Sequence, residues 1–224
     1  RRSSDLENKM PLIGDHAPEF HAMTTQGKID FPADYKGSWV VLFSHPADFT
    51  PVCTTEFIAL SRMNETFESL NTKLIGLSID SLHSHLGWIK SIEALNFNNE
   101  GKVKIPFPII ADISMNVAKK YGMLQTVANT QTVRAVFIID PEGIIRTILY
   151  YPMSTGRNIP EIIRILQSLQ LNDKTHYSTP ANWQPGDDVV MGAPLTIEEA
   201  QERLESSDNT IKPLDWYLTM KKMK

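Results

Sequence analysis

Short apolar runs alternate with stretches of helical periodicity along most of this chain, and this alternation narrows the choice of fold. Residues 39–43, 73–79 and 107–110 are mostly apolar runs of strand length. Residues 53–70 and 81–95 lie between them and carry apolar side chains every three or four residues, which predicts helices. The predicted inward-facing residues of these helices are Phe57, Leu60, Met63, Phe67 and Leu70, and then Leu82, Leu86, Ile89 and Ile92. Because strands joined through helices need crossover connections, we predict a central, largely parallel sheet.

The pattern changes in the second half of the chain. After a short predicted helix at 115–121, two apolar runs at 133–139 and 144–150 flank a turn that contains proline and glycine. This arrangement predicts a hairpin, and a last helix of the domain follows from residue 159. A βαβ unit followed by a ββα unit is the thioredoxin-like arrangement. We therefore predict an α/β, thioredoxin-like domain over residues 11–174, with a mixed central sheet flanked by helices.

Both ends of the chain depart from this pattern. Residues 1–10 are polar and aperiodic, and we interpret them as a disordered, tag-like segment. Residues 175–224 contain several prolines, two tryptophans (Trp183 and Trp216) and one predicted helix at 197–204, entered from Thr196. Since such aromatic residues are rarely left in solvent, we predict a C-terminal extension that wraps the domain or a second subunit.

Composition excludes several classes of function. The net charge of −4 argues against a nucleic-acid partner held by a basic surface, and no apolar run reaches the ~18–20 residues of a membrane span. The single cysteine, Cys53, rules out an intrachain disulfide and a multi-thiolate metal site. A reducing, cytoplasmic location is therefore expected. No metal motif is found, and His83 and His85 are predicted to lie at the surface of their helix.

Cys53 lies where the predicted first helix begins. Unpaired backbone N–H groups at a helix N-terminus favour a thiolate, although an inert buried cysteine fits the position equally well. Thr50-Pro-Val-Cys53 occupies the place where a disulfide oxidoreductase would carry Cys-x-x-Cys, with a hydroxyl in place of the first thiol. Exchange between two thiols within this site is therefore impossible.

The segment 44–56, Ser-His-Pro-Ala-Asp-Phe-Thr-Pro-Val-Cys-Thr-Thr-Glu, resembles the active-site segment of the peroxiredoxins. Pro46, Thr50 and Cys53 match the family pattern Pro-x-x-x-Thr-x-x-Cys in spacing and residue type. The flanking residues resemble the one-cysteine subgroup, which is peroxiredoxin-6-like or of the archaeal type. Further matching segments lie at 77–80, 106–110, 155–158 and 179–183, so the resemblance covers roughly residues 11–220.

The resemblance implies a thiol-dependent peroxidase that reduces hydrogen peroxide and organic hydroperoxides through a sulfenic acid on Cys53, with no cofactor. It implies catalytic roles for Cys53, Arg134, Thr50 and Pro46, and contact of Arg134, Thr50 and His45 with the substrate. From the residues alone, Pro46 could simply end a strand, Thr50 could serve a turn or a helix cap, and His45 could be a satisfied structural histidine. Arg134 opens a strand and shares a face with Val136 and Ile138, so from the residues alone it could also point to water. Supporting roles fall to Glu56 and Arg157. Glu56 would orient an arginine or merely be an acid in the first helical turn, and Arg157 would line the pocket or be solvated.

The chain also departs from its relatives. Two-cysteine peroxiredoxins carry a second, resolving cysteine near the C-terminus, and residues 175–224 contain none. The resemblance therefore implies an external thiol such as thioredoxin or glutathione, and a homodimer or a ring of five dimers. Residues 36–40, Lys-Gly-Ser-Trp-Val, lack the outer glycines of the lipase-like motif of animal one-cysteine members, and Pro32 stands where these members have histidine. Phospholipase activity is not expected.

Two other functions are compatible with parts of the sequence. A thioredoxin-fold binding or chaperone module could carry Cys53 incidentally, and stoichiometric peroxide consumption would distinguish it from a peroxidase. A cysteine hydrolase would need a histidine base near the sulfur, and His45 is the candidate.

Overall fold

The computed structural model of the chain describes residues 10–124 and 131–223. The predicted tag-like segment therefore lies, except for Met10, outside the described residues. The chain divides into two compact units, and the boundary between them along the sequence lies between Ile159 and Pro160. This boundary lies inside a helix at Ile159–Thr175, whereas the predicted domain boundary at 174/175 lies at the end of that helix. The predicted division into domains stays a prediction.

The first unit is built on a seven-stranded mixed sheet with the strand order β2-β1-β5-β4-β3-β6-β7. The central strands β3, β4 and β5 are parallel, and the strands on either side of them are antiparallel to their neighbours. The strands are β1 (Phe20–Thr24), β2 (Gly27–Phe31), β3 (Trp39–Ser44), β4 (Thr72–Ser78), β5 (Ile109–Ala111), β6 (Arg134–Ile139) and β7 (Ile145–Tyr151). The predicted mixed sheet is thus confirmed. The hairpin of β6 and β7 closes at Gly143, whose positive φ of 83° suits glycine.

Helices occupy the predicted connections. They are α1 (Pro51–Arg62), α2 (Asn64–Ser69), α3 (Leu82–Ala94), α4 (Asn116–Lys120) and α5 (Ile159–Thr175). The continuous helix predicted over 53–70 is wrong in one respect, because it is interrupted at Met63, where φ and ψ of −93° and 2° leave the helical range. Phe57, Leu60 and Phe67 are nevertheless buried, as their spacing predicted.

The two faces of the sheet bury different clusters. Val40 and Leu42 of β3 belong to a core that also contains Phe137 and Tyr121. Phe43 points to the opposite face, where its ring packs 5.5 Å from that of Phe57 in α1. Val136 of β6 pairs with Phe43 and points to the same face of the sheet. Because side chains alternate along a strand, Arg134, the first residue of β6, points to this face as well. This face carries the candidate site.

Two features of this unit were not predicted. The N-terminal hairpin of β1 and β2 was missed, because its strands are short and half-exposed and give little apolar signal. The inner face of α3 was predicted correctly at Ile92 and wrongly at Leu86. Leu86 is 46% exposed, and the buried residues are His85, Trp88 and Ile92.

The second unit contains a small antiparallel sheet and one further helix. These elements are β8 (Val189–Val190), α6 (Ile197–Leu204), β9 (Ile211–Pro213) and β10 (Thr219–Lys221), and the strand order is β8-β10-β9. The Thr196 side chain accepts a hydrogen bond from the Glu199 amide and caps α6, as predicted. Trp183 is buried, and Trp216 is 52% exposed. Among the described residues, no helix is both long and apolar enough to cross a membrane.

Candidate active site

Cys53 lies in the first turn of α1, directly after the loop that leaves β3. Thr50 is the N-cap with an extended backbone, and Pro51 is the first helical residue, where a missing N–H costs nothing. The Cys53 side chain is a free thiol and is fully buried. The sequence therefore placed the cysteine correctly at a helix N-terminus, two residues inside a helix that begins at Pro51.

Arg134 is the hydrogen-bond partner of the cysteine sulfur. Its Nη1 donates to Cys53 Sγ at 3.2 Å and to Glu56 Oε2 at 2.8 Å. The other side of the guanidinium is fixed, because Nε and Nη2 both donate to the carbonyl of Met153, at 3.0 and 2.7 Å. Arg134 is 3% exposed, so it points into the site and not to water.

Glu56 joins Arg134 to a second buried arginine, Arg157. Glu56 Oε2 accepts from Arg157 Nη2 at 2.7 Å, and Oε1 accepts from the backbone N–H and the Nε of Arg157, both at 2.9 Å. Because α1 begins two residues earlier than predicted, Glu56 lies beyond the first turn, and it accepts hydrogen bonds from two arginines. Its predicted role in orienting an arginine stays a prediction.

The arginine-rich cluster carries an excess of positive charge. Arg134 and Arg157 contribute two positive charges, Glu56 contributes one negative charge, and all three side chains are at least 96% buried. A buried charge needs a partner, and a deprotonated Cys53 would supply the one missing negative charge. The site is therefore electrostatically complementary to an anionic sulfur.

Arg157 is buried, which contradicts the alternative of a solvated residue. Its Nη1 donates to the backbone carbonyls of Ser44 and Ala135, at 2.8 and 3.2 Å, and its guanidinium lies 5.2 Å from the centre of the Phe43 ring. Arg157 therefore ties the end of β3 to β6 and to Glu56. This places the two strands and α1 around the sulfur.

His45 belongs to a second buried cluster and not to the hydrogen bonds of the sulfur. His45 Nε2 lies 2.8 Å from Asp48 Oδ1, and His85 Nδ1 lies 2.8 Å from Asp48 Oδ2. The prediction that His85 lies at the surface is wrong, because the residue is fully buried, whereas His83 is exposed as predicted. Burial lowers the pKa of His45. Burial alone would raise the pKa of Asp48, but the hydrogen bonds from both histidines hold it well below its ordinary value.

His45, Asp48 and His85 are also the one group of histidine and acidic side chains in the described residues that is close enough to surround a metal ion. Their facing nitrogen and oxygen atoms are hydrogen-bonded to one another at 2.8 Å. These four facing atoms are thus engaged in hydrogen bonds within the group.

Pro46 and Thr50 complete the loop before α1. Pro46 is buried, and the Thr50 hydroxyl donates to the Ala47 carbonyl at 2.8 Å, which fixes the shape of the loop. The predicted hydrogen bond of Thr50 to the thiolate stays a prediction. Sequence reasoning missed Asp48, His85 and the Met153 carbonyl. Asp48 lies inside the matched motif, but its pairing with a residue 37 positions later gives no local signal.

Comparison with known proteins gives a consistent family. Residues 13–148 match the AhpC/TSA family, and residues 168–207 match the C-terminal domain of 1-Cys peroxiredoxin. A peroxiredoxin of Methanosarcina mazei is 58% identical over 95% of this chain and 98% of its own length. Peroxiredoxin 2 of Sulfurisphaera tokodaii is 50% identical over 97% of this chain and 99% of its own.

Comparison with solved structures gives the same family. The yeast mitochondrial 1-Cys peroxiredoxin, described as resolved through glutathione and thioredoxin systems, matches with a TM-score of 0.82 and 41% identity, over 96% of this chain and all of its own. A cysteine-to-serine mutant of peroxiredoxin 6 from Arenicola marina matches with a TM-score of 0.81 and 34% identity, over 96% and 99% of the two chains. With a single cysteine beside a buried arginine, the chain belongs to the peroxiredoxin family and is a thiol-dependent peroxidase of the one-cysteine type.

Proposed function

We propose that Cys53 is the peroxidatic residue and that it attacks hydrogen peroxide and organic hydroperoxides as a thiolate. The observation that carries this proposal is the 3.2 Å contact between Cys53 Sγ and Arg134 Nη1, inside a cluster with one unbalanced positive charge. In the reaction the sulfur bonds to one peroxide oxygen, and the O–O bond breaks. The cysteine is oxidised to a sulfenic acid, and the leaving oxygen takes a proton and departs as water or an alcohol.

Ionisation of the thiol cannot be the main source of rate. An ordinary thiol with a pKa of about 8.5 is already a few per cent thiolate at pH 7. Complete ionisation therefore raises the thiolate fraction, and with it the rate, by at most about 30-fold. The larger contribution has to come from stabilising the negative charge that moves from sulfur onto the peroxide oxygens. Arg134 is the donor for this role, because the Met153 carbonyl and Glu56 hold its guanidinium in place before the substrate binds.

Pro46 and Thr50 have roles in the same proposal. Pro46 has no N–H and shapes the loop that shields the sulfur, and Thr50, the N-cap of α1, hydrogen-bonds the peroxide when it is bound. The predicted contact of His45 with the substrate remains part of the proposal, because His45 directly precedes Pro46 and its Nδ1 has no hydrogen-bond partner among the described residues. Glu56 and Arg157 act through Arg134 and are positioning residues.

The sulfenic acid is returned to the thiol by an external reductant. The chain has no second cysteine that could condense with it, so an external thiol forms a mixed disulfide with Cys53 and a second thiol releases the enzyme. The resolution of the yeast mitochondrial relative through glutathione and thioredoxin supports these two as the reductants. A single cysteine without a disulfide partner also fits the reducing cytoplasm.

A homodimer, or a ring of five dimers, is the proposed assembly. Its support is the exposed apolar surface of the second unit, where Leu195, Ile197 and Trp216 are 91%, 74% and 52% exposed. Light scattering at micromolar concentration tests this assembly. A particle mass near the 25.3 kDa of one chain would contradict it.

A peroxide consumption assay with dithiothreitol, glutathione and a thioredoxin system in parallel tests the proposed chemistry. We expect turnover with at least one reductant and none for Cys53→Ser. The alternative of a binding or chaperone module is not favoured, since it requires no buried arginine at the sulfur. A hydrolase is not favoured either, because in the described residues the sulfur is hydrogen-bonded to Arg134 and not to a histidine.

A further inference from the structure

The buried histidine cluster beside the active-site loop contains more hydrogen-bond acceptors than two neutral histidines can satisfy. His85 Nδ1 lies 2.8 Å from Asp48 Oδ2, and His85 Nε2 lies 3.0 Å from the carbonyl oxygen of Ile110. A backbone carbonyl and an ionised carboxylate only accept hydrogen bonds, so both nitrogens of His85 must donate. A ring that donates at both nitrogens is an imidazolium cation.

His45 has the opposite requirement. Its Nε2 faces the other carboxylate oxygen of Asp48 at 2.8 Å and must donate. Its Nδ1 is buried, and no hydrogen-bond partner for it is found among the described residues. Burial also favours the neutral ring by lowering its pKa. The cluster therefore consists of one cation (His85), one anion (Asp48) and one neutral ring (His45) of fixed tautomer.

The hydrogen-bonded groups belong to different elements. His45 and Asp48 lie in the loop between β3 and α1, His85 lies in α3, and the carbonyl of Ile110 belongs to β5. Among the described residues, one further charged group, Asp80, contacts this cluster. Its Oδ2 accepts hydrogen bonds from the backbone N–H of Asp48 at 3.0 Å and from the Ser78 hydroxyl at 2.6 Å.

Aromatic contacts extend the same link to the active-site helix. The His45 ring centre lies 4.9 Å from the rings of Phe57 and Trp88. Trp88 Nε1 donates to the Thr54 hydroxyl at 3.2 Å, and Thr54 follows Cys53 in the chain. Thus α3 holds the loop before the cysteine through His85 and the helix after it through Trp88.

We propose that His85 is a positioning residue protonated at both ring nitrogens, which through Asp48 fixes the tautomer of His45 and the path of the loop that leads to Cys53. The inference rests on the proposed function in one respect, namely that this loop serves peroxide reduction. A ring nitrogen of His85 without its proton would turn a lone pair towards an acceptor in the interior, which is unfavourable.

Nuclear magnetic resonance of protein with ¹⁵N-labelled histidine tests the protonation states directly. We expect two protonated ring nitrogens for His85 at pH 7, and a neutral ring protonated at Nε2 for His45. In Asp48→Asn the side-chain amide has a single acceptor oxygen, so we expect His85 to become neutral. A neutral His85 in the wild-type protein at pH 7 would overturn the proposal, as would stoichiometric zinc in the purified protein.

The kinetic test compares His85→Phe with His83→Phe, which replaces the exposed histidine of the same helix. Small displacements of a reacting group lower the reaction rate by a factor on the order of 10². We therefore expect kcat/KM for peroxide to fall by about that factor in His85→Phe and to stay unchanged in His83→Phe. An unchanged kcat/KM in folded His85→Phe would refute the positioning role. The resonance result stands on its own. A failure of the proposed function, seen as a wild-type rate no faster than that of Cys53→Ser, is therefore distinguishable from a failure of this proposal.

Discussion

Replacing Arg134 by lysine keeps the positive charge and removes the geometry that the account assigns to the guanidinium. Arg134 reaches the Met153 carbonyl through Nε and Nη2, and Glu56 and Cys53 through Nη1. A lysine ammonium is a single nitrogen, so it cannot hold the Met153 carbonyl on one side and approach the sulfur on the other. Arg134→Lys is therefore a test of donor placement and not of charge.

The expected magnitude follows from the contacts that are lost. Removing one preorganised donor to a developing negative charge costs about 10²–10³ in rate, or about 2.7–4 kcal/mol. Stability should fall by a similar amount. Glu56 keeps its three hydrogen bonds to Arg157, and the loss of charge-assisted bonds to Met153 costs about 3 kcal/mol of the ~5–15 kcal/mol typical of a domain. The variant should therefore fold.

Stopped-flow measurement of peroxide reduction provides the assay, with Arg62→Lys as the matched control. Arg62 pairs with Glu100 at the surface and is 27% exposed, so its replacement should change the rate by no more than about twofold. If folded Arg134→Lys loses less than about threefold, which is below about 0.7 kcal/mol, the guanidinium does not stabilise the transition state and the reasoning is refuted.

Three further predictions follow from the same contacts. Cys53→Ser should abolish peroxide turnover and keep the circular dichroism spectrum of the wild type, because a serine hydroxyl does not ionise at neutral pH. Retained turnover would contradict the assignment. Glu56→Gln should lower the free energy of unfolding by about 3–5 kcal/mol in urea titrations, because two buried arginines lose their shared carboxylate; an unchanged midpoint would argue against the ion cluster. The pKa values of His45 and Asp48 are both lowered, so the unfolded chain binds more protons. The free energy of unfolding should then fall as the pH drops below about 6.5 and again below about 4, and a flat profile would contradict the buried cluster.

The sequence was sufficient for the features that depend on local patterns. Strand-length apolar runs placed β3, β4 and β6, and the position of Thr50-Pro-Val-Cys53 after a strand placed the cysteine at a helix start. The alternation of Arg134 with Val136 and Ile138 predicted that these residues share one face of β6, although from the residues alone the guanidinium could also have pointed to water. These inferences need only the periodicity of strands and helices.

The features that the sequence did not predict depend on contacts between distant residues. The hydrophobic spacing of α3 put Leu86 inside, but the interior position is taken by His85, since Asp48 and the Ile110 carbonyl satisfy its polar atoms. No local pattern records a partner 37 positions away. The role of the Met153 carbonyl was likewise unpredictable, because every residue has a carbonyl and only the path of the chain after β7 brings this one to Arg134.

In the proposed cycle Cys53 alone reacts with peroxide, and an external thiol resolves it. Mass spectrometry after one equivalent of hydrogen peroxide, in the absence of reductant, tests both parts together. We predict a chain of monomer size on a non-reducing gel, with a single added oxygen on the Cys53 peptide, and conversion to sulfinic and sulfonic acid with excess peroxide. A stoichiometric dimer linked through Cys53 of two subunits would contradict resolution by an external thiol, and an unmodified Cys53 would contradict the assignment of the peroxidatic residue.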